Sequence, residues 1–434
     1  MKQMKDSGIE WIGQIPEDWE VLRVKDIAKI RTGGTESRAD GADNYSTDFG
    51  MLWIKPNDLQ EFKIIDKTSE YLNDKAQANI VAFPPYTFFV CCIGSIGKFG
   101  LTNKKAYCNQ QINGIIIDDT EIKKFCMYAI MSQVGQHWYF ATGNVVKILN
   151  AYNQGRIYIA KPNKNEQQKI ANFLDDKCAK IDRLIDYEQA TIDELKAYKQ
   201  SVITEAVTKG LDKSVSMKDS GVEWIGKIPE SWSISKIKML ADETQENAFI
   251  DGDWIESPYI EDTGIRYLTT GNIGDGVFKR QGNGFISNET FTKLQCKYAY
   301  PQDLIFSRLN EEYGRSCILP NDYDKYVIAV DNVILRTNED KKYICYVTQC
   351  SNYHKAVFFY ARGTAMKRIS RTNLGNVAIP LPSIAEQQQI ADYLDKKCAD
   401  IDSLISIKQQ KIEELKEYKK SLIYEYVTGK KEVA

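Results

Sequence analysis

One long stretch is used twice in this chain, and it limits the fold more than any other feature. Residues 166–210 (EQQKIANFLDDKCAKIDRLIDYEQATIDELKAYKQSVITEAVTKG) recur as residues 386–430 (EQQQIADYLDKKCADIDSLISIKQQKIEELKEYKKSLIYEYVTGK) at an offset of 220 (386 − 166), with more than half of the aligned positions identical. Proline and glycine lie only at the flanks, so each copy reads as one uninterrupted helix. Apolar residues fall at alternating steps of three and four: Leu174, Cys178, Ile181, Ile185, Ile192, Leu195 and Val202, then Leu394, Cys398, Ile401, Ile405, Ile412, Leu415 and Leu422. That is a coiled-coil seam, which needs a partner helix. Glu188, Lys199, Lys408 and Lys419 interrupt it at matching places, as polar seam residues do when they fix register at some cost in stability. A helix of about 44 residues at ~1.5 Å per residue is roughly 65 Å long, close to two turns of duplex DNA. The simplest way to cover both seams is to pack the two helices on each other.

The repeat extends beyond the helices. KDSGIEWIGQIPEDWE at 5–20 returns as KDSGVEWIGKIPESWS at 218–233, which suits an arm leading from a helix end into the next globular part. Between arm and helix, about 20–162 and 232–382, the halves share a skeleton but little sequence. LWIKPNDL (52–59) aligns with RYLTTGNI (266–273), FPPYTFFVCCIGSIGKFG (83–100) with YPQDLIFSRLNEEYGRSC (300–317), CNQQINGIII (108–117) with AVDNVILR (329–336), and GNVVKILNAYNQGRIYIAKP (143–162) with GTAMKRISRTNLGNVAIPLP (363–382). Short β-branched and aromatic runs between Gly, Asn and Pro turns predict strands. Helices are expected at 121–136 and 340–353, which makes the globular parts α+β.

Composition narrows the function classes. A chain of 434 residues with 43% hydrophobic residues holds more than one folded domain. No apolar run is long enough for a bilayer and MKQMKDSGIEWIG lacks the form of a signal peptide, so the cytoplasm is the expected compartment. The ten Cys are scattered without a CxxC pair, and they read as core residues in a reducing environment. With only His137 and His354 present, neither a zinc site nor a His-dependent triad is expected. A net charge of −2 excludes a uniformly basic protein but leaves local cationic patches.

No catalytic motif stands out. FPPY at 83–86 resembles the Asn/Asp-Pro-Pro-aromatic loop of amino-methyltransferases, but Phe83 replaces the polar residue and no Gly-rich cofactor turn accompanies it. A turn into a buried strand is the better reading. GSIGK at 94–98 is too short for a Walker loop. The expected loops instead carry Arg31, Lys55, Asn57, Lys98, Lys104, Gln110, Gln111 and Lys147 in the first half, and Thr269, Asn272, Arg308, Arg315, Arg362, Lys367, Arg368 and Arg371 in the second. Arg, Asn and Gln read guanine and adenine edges, and Lys and Arg hold phosphates. Any single one of these is most simply a solvated charge. As a set, with ARGTAMKRISR (361–371) the densest run, they are the candidate DNA-binding residues.

This order of arm, variable domain and long helix, given twice, resembles the specificity subunit of type I restriction–modification enzymes. The resemblance rests on Pro162 followed by Glu166-Gln167-Gln168-Lys169-Ile170-Ala171, on Pro382 followed by Glu386-Gln387-Gln388-Gln389-Ile390-Ala391, and on the Trp-Ile-Gly-x-Ile-Pro-Glu-x-Trp arms. It covers essentially the whole chain. It implies an α+β protein with two tandem target recognition domains, separated by two long antiparallel-packed helices with pseudo-twofold internal repeat. The segments would be arm and recognition domain at 1–162, a central helix at 163–210, arm and second recognition domain at 211–382, and a C-terminal helix at 383–434. It also implies a non-catalytic subunit that binds double-stranded DNA, with the paired helices as spacer and as docking surface for two adenine-methyltransferase subunits, and restriction subunits completing the assembly. S-adenosylmethionine, ATP and Mg would belong to those partners, leaving no cofactor, metal or membrane for this chain. A related system that cuts on both sides of its site has a similar layout. From other classes, a coiled-coil adaptor without a DNA role and an autonomous methyltransferase are the rivals.

Two readers held by rigid helices would meet the major groove about one turn, ~34 Å, apart. Deleting one heptad from a long helix is therefore expected to change the spacer between half-sites and leave the half-sites alone. Methylome sequencing that returned altered half-sites with the old spacer would sink this expectation.

Overall fold

The computed structural model describes residues 2–35, 45–59, 64–73, 80–119, 122–309, 314–360 and 368–433. The long helices run Lys164–Lys209 and Ile384–Val427, 46 and 44 residues. The chain forms two α+β units, Met1–Gln189 with Gln410–Ala434, and Ala190–Gln409. Each unit therefore contains one globular part and half of each long helix.

Within the first unit the helix segments 164–189 and 410–427 run antiparallel. Leu174, Cys178 and Ile181 join one apolar core with Leu422, Ile423 and Val427, while Ile185 and Leu415 pack at its margin. In the second unit Val202, Ile203, Ala206 and Val207 share a core with Ile390, Ala391, Leu394 and Cys398. Ile192, Ile401, Ile405 and Ile412 are buried as well, and Leu195 is half-buried. The polar seam residues Glu188, Lys199 and Lys419 find charges on the facing helix. Lys419, 2% exposed, holds Asp182 at 2.6 Å, and buried Glu188 takes Lys411 at 2.6 Å. In the second unit Lys199 meets Asp402 at 2.7 Å. Lys199 and Lys419, like Asp182 and Asp402, are 220 apart (419 − 199; 402 − 182), so one ion pair is made once in each unit.

The helix starts explain the repeated Glu-Gln-Gln. Asn163 Oδ1 and Ser383 Oγ accept the backbone N–H groups of Glu166 and Glu386, at 3.0 and 3.4 Å, and so cap orphan donors. Both carboxylates sit in the first turn, where the helix dipole favours negative charge. Each accepts the indole N–H of a buried arm tryptophan, Trp19 at 3.2 Å and Trp232 at 2.9 Å. Fully buried Gln167 and Gln387 donate to the Pro162 and Pro382 carbonyls, at 2.7 and 3.0 Å. The motif thus fastens arm, sheet exit and helix together. Each arm is a hairpin, Met4–Asp6 with Gln14–Pro16 and Met217–Asp219 with Lys227–Pro229.

The globular parts share one topology. In the first unit an antiparallel sheet runs in the order Lys29–Thr32, Ile112–Ile116, Phe88–Cys91, Phe99–Leu101, and in the second Phe249–Asp251, Asn332–Leu335, Leu304–Ser307, Ser316–Ile318. Parallel pairing joins Met51–Ile54 to Ala106–Cys108, and Ile265–Leu268 to Tyr326–Ile328. The central strand Phe88–Cys91 is wholly apolar because both its faces are buried. Phe88 and Val90 enter the core shared with the helices, and Phe89 and Cys91 enter the opposite one. FPPY is the turn before it: Phe83 is fully buried, and the Tyr86 N–H donates to Thr102 O at 2.8 Å.

The helices expected at 121–136 and 340–353 are each two. They run Lys123–Met131 with Val134–Phe140, and Lys341–Thr348 with Ser351–Phe358. The breaks fall where Gln133 and Cys350 leave helical geometry. Within the second helix of the first pair, Gly135 lies so close to the arm that an added Cβ would sit 2.6 Å from the Trp11 ring.

Because Lys419 is buried and Lys199 is not, the repeated ion pair should weigh differently in the two units. Asp182→Ala is expected to cost about 3 kcal/mol by removing the ion-pair partner of a buried ammonium, and Asp402→Ala less than about 1 kcal/mol. Urea unfolding followed by hydrogen exchange on each helix segment would measure both. Equal losses at the two sites would contradict the assignment to burial.

Candidate nucleic-acid interface

Most of the candidate residues gather at one end of the sheets, the same end in both units. In the first unit strands Met51–Ile54, Phe88–Cys91 and Ala106–Cys108 all finish there, and Lys29–Thr32 runs out beside them. Their loops are tied by backbone bonds. Gly33 N–H donates to Ile112 O at 2.9 Å, Gly34 to Cys108 O at 3.0 Å, Cys92 to Gln111 O at 2.7 Å, Leu149 to Cys92 O at 2.8 Å and Asn109 to Ile54 O at 3.1 Å. Fully buried Asn113 lies beneath them, accepting from Thr32 Oγ1 at 2.8 Å and donating to Leu149 O at 2.9 Å. A buried amide satisfied on three segments costs little and fixes their geometry.

Gln110, Gln111, Lys98 and Lys147 belong to this face. Gln110 bonds Thr35, and Gln111 closes a turn with Asn109, its N–H donating to Asn109 Oδ1 at 3.1 Å. Lys98 and Lys147 are exposed. Lys55 and Asn57 occupy the adjoining turn after Ile54, where Lys55 pairs with Glu70 at 3.2 Å and lies over the Trp53 ring. Arg31 is exposed on the edge strand leading to the face, paired across to Gly114. Lys104 is at the opposite end of the sheets, in the turn between Leu101 and Ala106. Segments 31–35, 92–98, 109–111 and 142–150 contain no Asp or Glu, so nothing within them opposes an anion.

In the second unit Gly252, at the place of Gly33, donates to Asn332 O at 3.0 Å, and Asp253 to Ile328 O at 2.8 Å. Arg308, Arg368 and Arg371 converge here. Arg308 is only 7% exposed. It donates to Val330 O at 2.5 Å and faces Asp251 at 3.3 Å and Asp331 at 3.9 Å. Burial pulls its pKa below the usual value and Asp251 opposes that shift. Arg368 pairs with Asp331, and Arg371 lies 3.6 Å from Asp251, both with side chains about two-fifths exposed at 43% and 41%. Arg308 is thus the buried post, while Arg368 and Arg371 are the groups that can exchange a carboxylate for a phosphate.

Thr269, Asn272 and Arg315 form a second knot at the same end. Asn272, 2% exposed, accepts from the Thr269 N–H at 2.9 Å and donates to the Lys279 and Gln281 carbonyls. Buried Arg315 donates to Ile273 O at 2.6 Å and Thr270 O at 3.1 Å. Their donors build the loop, so of the three only Thr269 is exposed to a ligand. Arg362 and Lys367 lie outside the described residues.

Two features escaped the sequence reading. Val145 and Val146, 98% and 49% exposed, cap the loop 142–148. Trp138-Tyr139-Phe140 and Phe358-Phe359-Tyr360 are aromatic triplets 220 apart (358 − 138), exposed at Trp138, Tyr139, Phe358, Phe359 and Tyr360. Each lies beside an arm tryptophan. Trp11 packs on Tyr139 at 4.7 Å, and Trp224 lines a cavity of about 470 Å³ with Phe359 and Tyr360. The repeat itself was the signal for the triplets. Other reactive groups are withdrawn: His137 is fully buried, which pulls its pKa down to about 4, and all ten cysteines are free and buried. Among the described residues no helix is long and apolar enough to cross a membrane.

A duplicated scaffold presenting two different polar loop faces defines a two-part recognition protein. The family described as "Type I restriction modification DNA specificity domain" matches residues 16–197 and again 229–417. The chain belongs to that family, as a type I restriction–modification specificity subunit with two target recognition domains. Similar proteins include two from Methanocaldococcus jannaschii. The type I restriction enzyme MjaVIII specificity subunit is 23% identical over 96% of this chain and 94% of its own length. The putative MjaX specificity subunit is 26% identical over 96% and 95%. A solved chain from work on complex assembly and conformational transition of the type I R-M system shares the fold. Its TM-score is 0.67 at 14% identity, covering 95% of this chain and 98% of that one.

Proposed function

We propose that each unit reads one half of a split double-stranded DNA site through its sheet-end loops, and that the long helices fix the spacing between half-sites. The observation that carries this reading is the convergence of the candidate residues at the same sheet end in both units. The lysines there, with Arg368 and Arg371, would hold phosphates, and Gln110 and Gln111 would meet base edges. The two faces differ: in one, segments 31–35, 92–98, 109–111 and 142–150 carry no carboxylate, while the other carries arginines paired with Asp251 and Asp331. The half-sites should differ accordingly, giving an asymmetric target. The chain supplies no chemistry of its own in this reading. Adenine methylation with S-adenosylmethionine, and ATP- and Mg-dependent translocation and cleavage, fall to two methyltransferase subunits and to restriction subunits in the cytoplasm.

The test is single-molecule methylation sequencing of cells carrying this chain with its neighbouring methyltransferase, and the methyltransferase alone. A bipartite, asymmetric adenine-methylated motif is expected only with this chain. Unmethylated DNA despite a formed complex would favour the adaptor reading, which also lacks the steep salt dependence that phosphate contacts impose.

The aromatic triplets support the docking half of the proposal. Loops that read different half-sites must diverge, whereas a surface kept in both units suits a partner present in two like copies. Tyr139→Ser and Phe359→Ser are each expected to weaken methyltransferase association by at least about tenfold, as loss of an interface aromatic does. DNA affinity of the free chain should stay unchanged. Association indifferent to both substitutions, measured by calorimetry, would remove the triplets from the interface.

A further inference from the structure

The loop between helix Val134–Phe140 and the short turn at Ala151 is built to hold an apolar tip outward. Thr142 N–H donates to Ile148 O at 2.9 Å and Ile148 N–H to Thr142 O at 2.7 Å, so the five residues between them are closed at the base. Leu149, fully buried, fastens that base through Cys92, and Asn113 holds its carbonyl. At Gly143, φ +111°, an added Cβ would lie 2.3 Å from Val146 O, so the tightness of the turn depends on glycine. The tip is Asn144-Val145-Val146-Lys147. A lone exposed valine needs no explanation. Here, though, two adjacent valines crown a stapled loop in a segment without Asp or Glu, flanked by an amide and an ammonium.

Such a tip matches one element of duplex DNA. Of the groups in the major groove, only thymine's C5-methyl is apolar, and it is read by small apolar side chains. We propose that Val145, with Val146 beside it, reads a thymine methyl group in the half-site of the first unit. Lys147 and Lys98 would engage the flanking phosphates, and Gln110 and Gln111 the neighbouring base edges. The inference rests on the DNA-reading function proposed above and adds to it the base and the atom recognised.

The test uses the full chain complexed with its methyltransferase, and duplexes carrying the motif found by methylation sequencing. Each thymine of both half-sites is replaced in turn by deoxyuridine, which deletes only the methyl, and affinity is measured by anisotropy at fixed salt. One replacement should weaken binding about fourfold, the worth of one buried methyl-sized group. Val145→Ser should weaken the thymine duplex by a similar factor and make that same replacement silent, the non-additivity of groups in contact. Lys147→Ala should weaken every duplex alike and leave the deoxyuridine effect intact. The proposal is overturned if no thymine shows coupling to Val145, or if Val145→Ser binds as wild type does. The position is fully exposed, so folding should be untouched, and a circular dichroism melt would check this. A complex with no sequence-specific binding at all would instead refute the DNA-reading function, and this inference with it.

Discussion

Neither long helix can stand alone in water, and much of the architecture follows from that. A seam of Leu, Ile and Cys at three- and four-residue steps is stable only when covered. Each unit takes half of both helices and packs its own sheet and short helices onto them, so helix pair and globular core are one body of apolar residues. The polar interruptions are consistent with this. Lys419 and Glu188 are buried with Asp182 and Lys411 meeting them, and a shifted register would break these buried pairs at several kcal/mol each. The ion pairs thus hold the alignment that the apolar seam, nearly periodic, leaves underdetermined.

The sequence made the helices and the duplication legible because both are long-range patterns. A seam running from Leu174 to Val202 and again from Leu394 to Leu422, and an arm motif present twice, survive local ambiguity. Shorter elements did not. The segment 121–136 has the composition of one helix, yet the backbone leaves helical geometry at Gln133 and a second helix starts at Val134, a break that no local window announces. Site residues show the same division. That Arg308 and Arg315 lie at the functional end could be inferred from their neighbours. That they are buried and spend their donors on carbonyls could not, since an arginine on a loop has the same one-letter code in either role. Val145 escaped for the opposite reason, because valine in a mixed stretch reads as core.

The contrast between the units shows which parts of the recognition surface are free to change. The loop faces are closed by main-chain bonds at equivalent places, Gly33 to Ile112 and Gly252 to Asn332. At both glycines a Cβ would fall within 2.2 to 2.3 Å of a carbonyl oxygen of the parallel strand's end, Cys108 or Ile328. These constraints act on backbone atoms and leave the neighbouring side chains unspecified. One unit can therefore carry glutamines and an apolar tip where the other carries arginines balanced by aspartates, on the same topology.

The same economy accounts for the chain's modest net charge. A protein that held DNA by overall basicity would bind every sequence alike, because phosphate contacts carry no sequence information. Here segments 31–35, 92–98, 109–111 and 142–150 of the first unit carry no acid, and the second unit pairs its arginines with Asp251 and Asp331. Under the proposed DNA-reading function, a phosphate would have to displace those carboxylates to bind Arg368 or Arg371, so affinity would rise only where the base contacts beside them were also made. Specificity then comes from what a wrong site fails to repay. That arrangement would suit the proposed role, in which partner subunits supply the chemistry and this chain chooses the sequence.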